Sequence, residues 1–201
     1  MIKYLKEIEA YVTTLLTVSK NKNLLFHNLK HTQDVVGAAS EIAAHSNITE
    51  TELDILIVSA WFHDCGYVKK YTQHEDESVK IAEHFLKELI FPEEFIEQVI
   101  QCINSTRYAH VPASLTEKII RDADMYHLCK PNYPFYEELL RIELEINQGL
   151  YLKDKEWQSK NYEFLRNHEY YTEYGRTVLS QFKEINVQAV KEKLQLIPPV
   201  Q

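Results

Sequence analysis

The feature that most constrains the fold is an apolar run ending in two polar residues. Leu53, Ile55, Leu56, Ile57, Val58, Ala60, Trp61 and Phe62 lead directly into His63-Asp64-Cys65-Gly66. Such a run reads as a buried helix whose last turn carries an imidazole and a carboxylate. Burying an unpaired carboxylate is costly, so the pair calls for a partner. A metal ion is one, because it accepts imidazole nitrogen and carboxylate oxygen together. Gly66 is expected to let the chain leave the helix just past its C-terminus.

The rest of the chain reads as helices. Among 201 residues there are only 4 glycines and 6 prolines, which disfavours a turn-rich β architecture. This length suffices for one domain with a sizeable core. Apolar positions recur with a helical period over 2 to about 18. Asn28 is a good N-cap for a helix running to about His45. Asn47 to Thr51 can start the helix that ends at His63-Asp64, and Tyr67 to Gln73 reads as a loop. Further helices are expected from His74, from Pro92, from about Leu115 through Leu128, from Phe135 to Ile146, from Asp154 to Arg166, and from Tyr174 to Leu196. Pro198-Pro199 should stop the last one. Pro131 is the best candidate for a break, but no segment marks a clear domain boundary.

The formal net charge is -8, which argues against long nucleic acid as a partner. A small anion in a local basic pocket remains compatible. Cys65, Cys102 and Cys129 form no paired spacing, so neither a disulfide framework nor a zinc ribbon is implied, and a reducing compartment fits. The N-terminal segment is too charged for a signal peptide, and no apolar run approaches membrane-spanning length. A cytoplasmic protein with no membrane partner is expected. The aromatic residues after Pro131 read mainly as core, and could equally shape a pocket or a homodimer face.

Three helices offer inward ligands. His31 lies in the first turn after Asn28, His63 and Asp64 end the apolar helix, and Asp124 interrupts a later apolar stripe. Two imidazoles and two carboxylates suit manganese, iron, nickel, cobalt or zinc better than calcium. Helical bundles build metal sites this way, from side chains on facing helices.

The order His, then His-Asp, then Asp resembles the HD-domain metal-dependent phosphohydrolases. The resemblance rests on Phe26-His27-Asn28-Leu29-Lys30-His31-Thr32, on Ala60 to Tyr67, on His74-Glu75 with Ser78, and on Asp122 to Leu128. It implies an all-α HD-domain bundle with a central metal site over residues 1–201. The motif-bearing core would span about 24–130, and a helical extension about 131–201. His31, His63, Asp64 and Asp124 match the family's metal ligands. Asp124 follows alanine as in the family's signature, which leaves Asp122 to orient a ligand from behind. His27 stands where related cyclic-nucleotide phosphodiesterases hold the histidine that protonates the leaving oxygen. The ordinary imidazole pKa of about 6.5 suits that task.

The sequence also departs from the family. Two-metal members carry further histidines. His74 fits the first, the next is missing near Ser105, and His110 could only substitute from a loop. One divalent metal per chain is therefore expected, and the di-iron oxygenases of this fold are disfavoured. The lysine that some subfamilies carry in the glycine-containing turn after His-Asp is replaced here around Tyr67. Lys30, Lys69 and Arg107, with Lys70 and Arg121, are candidate phosphate contacts. The expected function is metal-dependent hydrolysis of a small nucleotide or related phosphate ester, with His27 and Asp64 as catalytic residues. The alternative is a regulatory module that binds a nucleotide signal with little turnover.

Overall fold

The computed structural model describes residues 2–19 and 23–197; Pro198 and Pro199 lie outside them. The described residues form α1 (Ile2–Val18), α2 (Leu29–Ala44), α3 (Glu50–Phe62), α4 (His74–Glu88), α5 (Glu93–Ser105), α6 (Leu115–Asp124), α7 (Tyr133–Gln148), α8 (Asp154–Asn167) and α9 (Ser180–Leu196). No strand occurs among them. The fold is all-α.

Helix α3 is the axis of the bundle. Every residue from Ile55 to Phe62 is buried, and the helix packs against α1, α2, α5 and α6. A helix apolar on all sides gains stability only when its whole circumference is covered. Its start is fixed by a capping box: Thr49 accepts from the Glu52 N–H, and the Glu52 carboxylate accepts from the Thr49 N–H. Helix α2 begins as the sequence implies, with Asn28 Oδ1 accepting from the N–H groups of Lys30 and His31. That cap sets the turn from which His31 points inward.

Gly66 acts differently from expectation. Gly149 is the only described glycine with positive φ, so Gly66 does not end α3 through a left-handed conformation. A Cβ on Gly66 would lie 1.8 Å from the His74 carbonyl oxygen. The missing side chain lets the first turn of α4 press against the segment after Asp64, and the Gly66 N–H donates to Ser78 Oγ at 2.8 Å. Residues Cys65–Val68, expected as the edge of a loop, form a 3₁₀ turn.

Helix α6 also ends sooner than its apolar pattern suggests. It stops at Asp124, and Met125–Cys129 continue as a 3₁₀ turn. A large core joins α1 to α6, while Leu128, Tyr133, Leu165, Val187 and Val190 form a smaller cluster beneath the C-terminal helices. Met125 packs against both. The last helix is preceded by a π turn at Gly175–Leu179. Cys65, Cys102 and Cys129 are free and buried. No helix among the described residues is long and apolar enough to cross a membrane.

Candidate metal centre

Helices α2, α3 and α6 converge where their polar residues meet. Ligand atoms of His31, His63 and Asp124 lie within 4.8 Å of one another. His31 Nε2 stands 3.2 Å from Asp124 Oδ1 and 3.4 Å from Asp64 Oδ2. His63 Nε2 stands 3.2 Å from Asp64 Oδ2 and 3.7 Å from Asp124 Oδ1. His63 and Asp64 are almost wholly buried, and Asp124 retains a small exposed edge.

The donor set fits a divalent cation. His63 Nε2 and Asp64 Oδ2 are buried, lie close together, and have no hydrogen-bond partner. Buried polar atoms are normally paired, so two adjacent orphans facing a common point are what ligands around an ion look like. The other ring nitrogen of His63, Nδ1, sits 2.9 Å from the Ala60 carbonyl oxygen. This contact fixes the tautomer that leaves Nε2 as an acceptor. Burial opposes charge on both imidazoles, but Asp64 and Asp124 outweigh it and raise His31, and raise His63 well above its ordinary value. Burial likewise works against the carboxylates, and the imidazoles overcome it and hold Asp64 and Asp124 below the usual carboxylate range. With both imidazoles neutral the cluster carries the charge of two carboxylates, which favours a proton or a metal cation among them.

The HD domain family matches residues 28–128 of this sequence, and those residues contain all four donors. The chain belongs to the HD-domain family. No curated protein matches it. Among solved structures, it resembles Bacillus subtilis YpgQ in complex with ADP, with a TM-score of 0.71 and 20% identity over 99% of this chain and 97% of that one. It also resembles a predicted HD superfamily hydrolase from an uncultured Thermotogales bacterium, with a TM-score of 0.65 and 22% identity over 96% of this chain and 92% of that one. The Lin1889 protein from Listeria innocua gives a TM-score of 0.65 and 18% identity over 96% of this chain and 99% of that one.

Around the HD residues, the structure gathers some of the other expected groups. His74 Nε2 lies 3.3 Å from Asp64 Oδ1, at the far oxygen from the orphan, so it backs that carboxylate. His27 precedes α2 and its ring is 5.7 Å from that of His31. Its Nδ1 meets Glu143 Oε1 at 2.5 Å. The other oxygen of Glu143 accepts from the N–H groups of Phe26 and His27, and Tyr71 donates to Oε1 at 3.1 Å. Burial alone would raise the Glu143 carboxyl, but His27 and the two N–H groups outweigh it and keep it below the usual range. Tyr67 stacks between His27 and His74, with ring centroids at 4.3 and 3.7 Å.

Other expected residues lie elsewhere. The Asp122 carboxylate accepts from the N–H groups of Tyr171 and Thr172 and from the Thr172 hydroxyl, so it ties down the C-terminal segment instead of backing a ligand. His110, on the loop before α6, pairs with Glu117 in the first turn of that helix. Ser105 donates to the Cys102 carbonyl. Lys30 is largely exposed and paired with Asp34, and Arg107 is paired with Asp76, 2.6 Å away. Lys69 is exposed. Of these candidate phosphate contacts, the structure brings none into the cluster.

Sequence reasoning missed Glu143, Tyr71 and His127. Glu143 is one of four glutamates on α7, and nothing in its spacing sets it apart. His127 sits one turn beyond Asp124, with Nδ1 3.1 Å from the Asp124 carbonyl oxygen. Burial, with His31 nearby, pushes its pKa down to about 3, so it is neutral.

Proposed function

We propose that this HD domain is a metal-dependent phosphohydrolase acting on a small nucleotide or related phosphate ester. The observation that carries the reading is the pairing of His27 with Glu143 beside the His31, His63, Asp64 and Asp124 cluster. Those four residues would hold one divalent ion, of the manganese, iron, nickel, cobalt or zinc kind. When bound, the metal supplies Lewis-acid chemistry to phosphoryl oxygens and acidifies water.

The chain's own residues do the rest. Water adds to phosphorus as the bond to the leaving oxygen breaks. His27 delivers a proton to that oxygen, so the leaving group departs neutral at the site of cleavage. Glu143 Oε1, 2.5 Å from His27 Nδ1, fixes the direction of the ring and places a carboxylate against it. His74 holds the Asp64 carboxylate in place. The absence of a histidine at Ser105 supports one metal. The ADP bound by YpgQ supports a nucleotide as the substrate class.

The experiment is a hydrolysis screen on metal-analysed protein. Nucleoside mono-, di- and triphosphates and cyclic mononucleotides are tested with Mn²⁺ and its competitors. Turnover that disappears with the metal in Asp64→Ala is the expected result. Stoichiometric nucleotide binding without turnover would move the assignment to a regulatory binding module.

A further inference from the structure

A cavity of about 260 Å³ lies between α7 and α8, lined mostly by residues beyond those that match the family, with His127 and Leu128 at the edge of the match. The rings of Tyr133, Tyr136, Trp157 and Phe164 line it, with Leu144 and Leu150. Its polar content is specific. Asn161 is more than nine-tenths buried and lines the cavity; its Oδ1 accepts from the Tyr133 hydroxyl at 2.5 Å, while its Nδ2 has no partner. A buried amide donor left unpaired costs stability, and a ligand acceptor would relieve that cost. Glu137 also lines the cavity. Its Oε1 accepts from the Trp157 indole N–H at 2.7 Å and from the Gln158 amide. Its other oxygen lies 3.6 Å from Lys193 Nζ, so its charge is balanced, and the mainly aromatic and leucine walls suit an uncharged ring.

The cavity adjoins the metal centre. His127 and Tyr136 line it, and the same two residues line a narrow crevice shared with His31 and Asp124. The His127 ring is 6.4 Å from the His31 ring on one side and 6.4 Å from the Tyr133 ring on the other, nearly parallel to the latter. The crevice holds only about 10 Å³, so a molecule that reaches from the cavity to the cluster displaces the Tyr136 or His127 side chain.

We infer that this cavity seats the nucleobase of the substrate, stacked among Tyr133, Tyr136, Trp157 and Phe164, with the Asn161 amide donating to a ring or carbonyl acceptor of the base. The inference rests on the phosphohydrolase reading and names the part of the substrate that reading leaves open. Aromatic walls fit a base because every base has a face to stack. A single buried donor then fixes its orientation. Lys130, 3.1 Å from Asp34 and facing the Tyr136 ring, lines the crevice between the cavity and the cluster.

The test separates this inference from the hydrolase reading by using a ligand with no phosphate. Adenosine and guanosine are titrated calorimetrically into the Mn²⁺-loaded full chain. Leu150→Trp fills the cavity from a residue that is 38% exposed and therefore tolerant of a larger side chain. Leu144→Trp fills it from α7. The expected result is nucleoside binding by the natural chain, weakened at least tenfold in both variants. The ratio of nucleotide to tripolyphosphate turnover should fall by a similar factor. If a variant does not fold, quenching of tryptophan emission by adenosine, and not by ribose 5-phosphate, is read on the natural chain. No nucleoside binding by the natural chain, or equal binding in folded variants, overturns the inference. Nucleoside binding without nucleotide hydrolysis leaves the cavity assignment standing and overturns the hydrolase reading. Hydrolysis without nucleoside binding does the reverse.

Discussion

Glu143 grips His27 from 116 residues away, with Oε1 2.5 Å from Nδ1, so the histidine before α2 is oriented by a carboxylate from α7. A carboxylate from beyond the matched residues therefore orients a side chain beside the cluster. Glu143→Gln keeps the shape and removes the charge. Under the proposed mechanism, kcat should fall roughly tenfold to a thousandfold while KM and bound metal change little. Steady-state kinetics with metal analysis checks this, and an unchanged kcat would leave Glu143 a purely structural role.

His74 holds the Asp64 oxygen opposite the orphaned one. His74→Ala should weaken metal binding about tenfold to a hundredfold, as losses of such backing residues do. His63→Ala or Asp64→Ala should abolish it. Competition against a colorimetric chelator distinguishes the graded loss from the complete one.

The pKa directions set a pH dependence for the metal-free protein. His31 and His63 are raised on folding, so the folded chain binds more protons than the unfolded one above about pH 6.5. Their stabilising contribution is present below that value and is lost as pH rises through the raised pKa values. A divalent cation replaces those protons, so its stabilising effect should grow over the same rise. Thermal melts at several pH values, with Mn²⁺ or with chelator, should show the two Tm curves diverging toward alkaline pH. Parallel curves would contradict the cluster as the metal seat.

Gly66→Ala places a methyl group against the His74 carbonyl. Relief requires the first turn of α4 to move, at a cost of about 1–3 kcal/mol. Urea unfolding should show that loss. Metal affinity should weaken with it, since the same movement takes His74 away from Asp64.

Asp122 satisfies three donors from Tyr171 and Thr172. Asp122→Ala should destabilise the chain, with each buried donor left unpaired costing about 1–3 kcal/mol and the costs not simply additive. Limited proteolysis should then cut near residues 168–175 first. Unchanged protection there would show that the clasp adds nothing.

What the sequence revealed and what it hid follow from the range of the interactions. The uniform apolarity of Ile55 to Phe62 fixes α3, and the His-Asp pair at its end can only be internal. Asn28 announces its cap, because capping acts within three residues. Asp124 interrupts an apolar stripe, and a break in a local pattern is visible locally. Glu143 offered no such signal, since an acid on an acidic helix becomes distinctive only through a partner far along the chain. Gly66 was recognised as special for the wrong reason. Its backbone is ordinary, and what demands glycine is the approach of another helix. The turn at Met125–Cys129 continued the apolar rhythm while changing its hydrogen bonding, a difference that hydrophobic spacing does not record.

The distance between His27 and Glu143 also has a meaning in time. Synthesis runs from the N-terminus, so His31, His63, Asp64 and Asp124 are all in place along the chain before Glu143 is added. A nascent polypeptide arrested between residues 124 and 143 carries every donor of the cluster and lacks the carboxylate that steadies the proton. Under the proposed mechanism, the residues that would hold an ion are thus made before the carboxylate that would orient the proton donor.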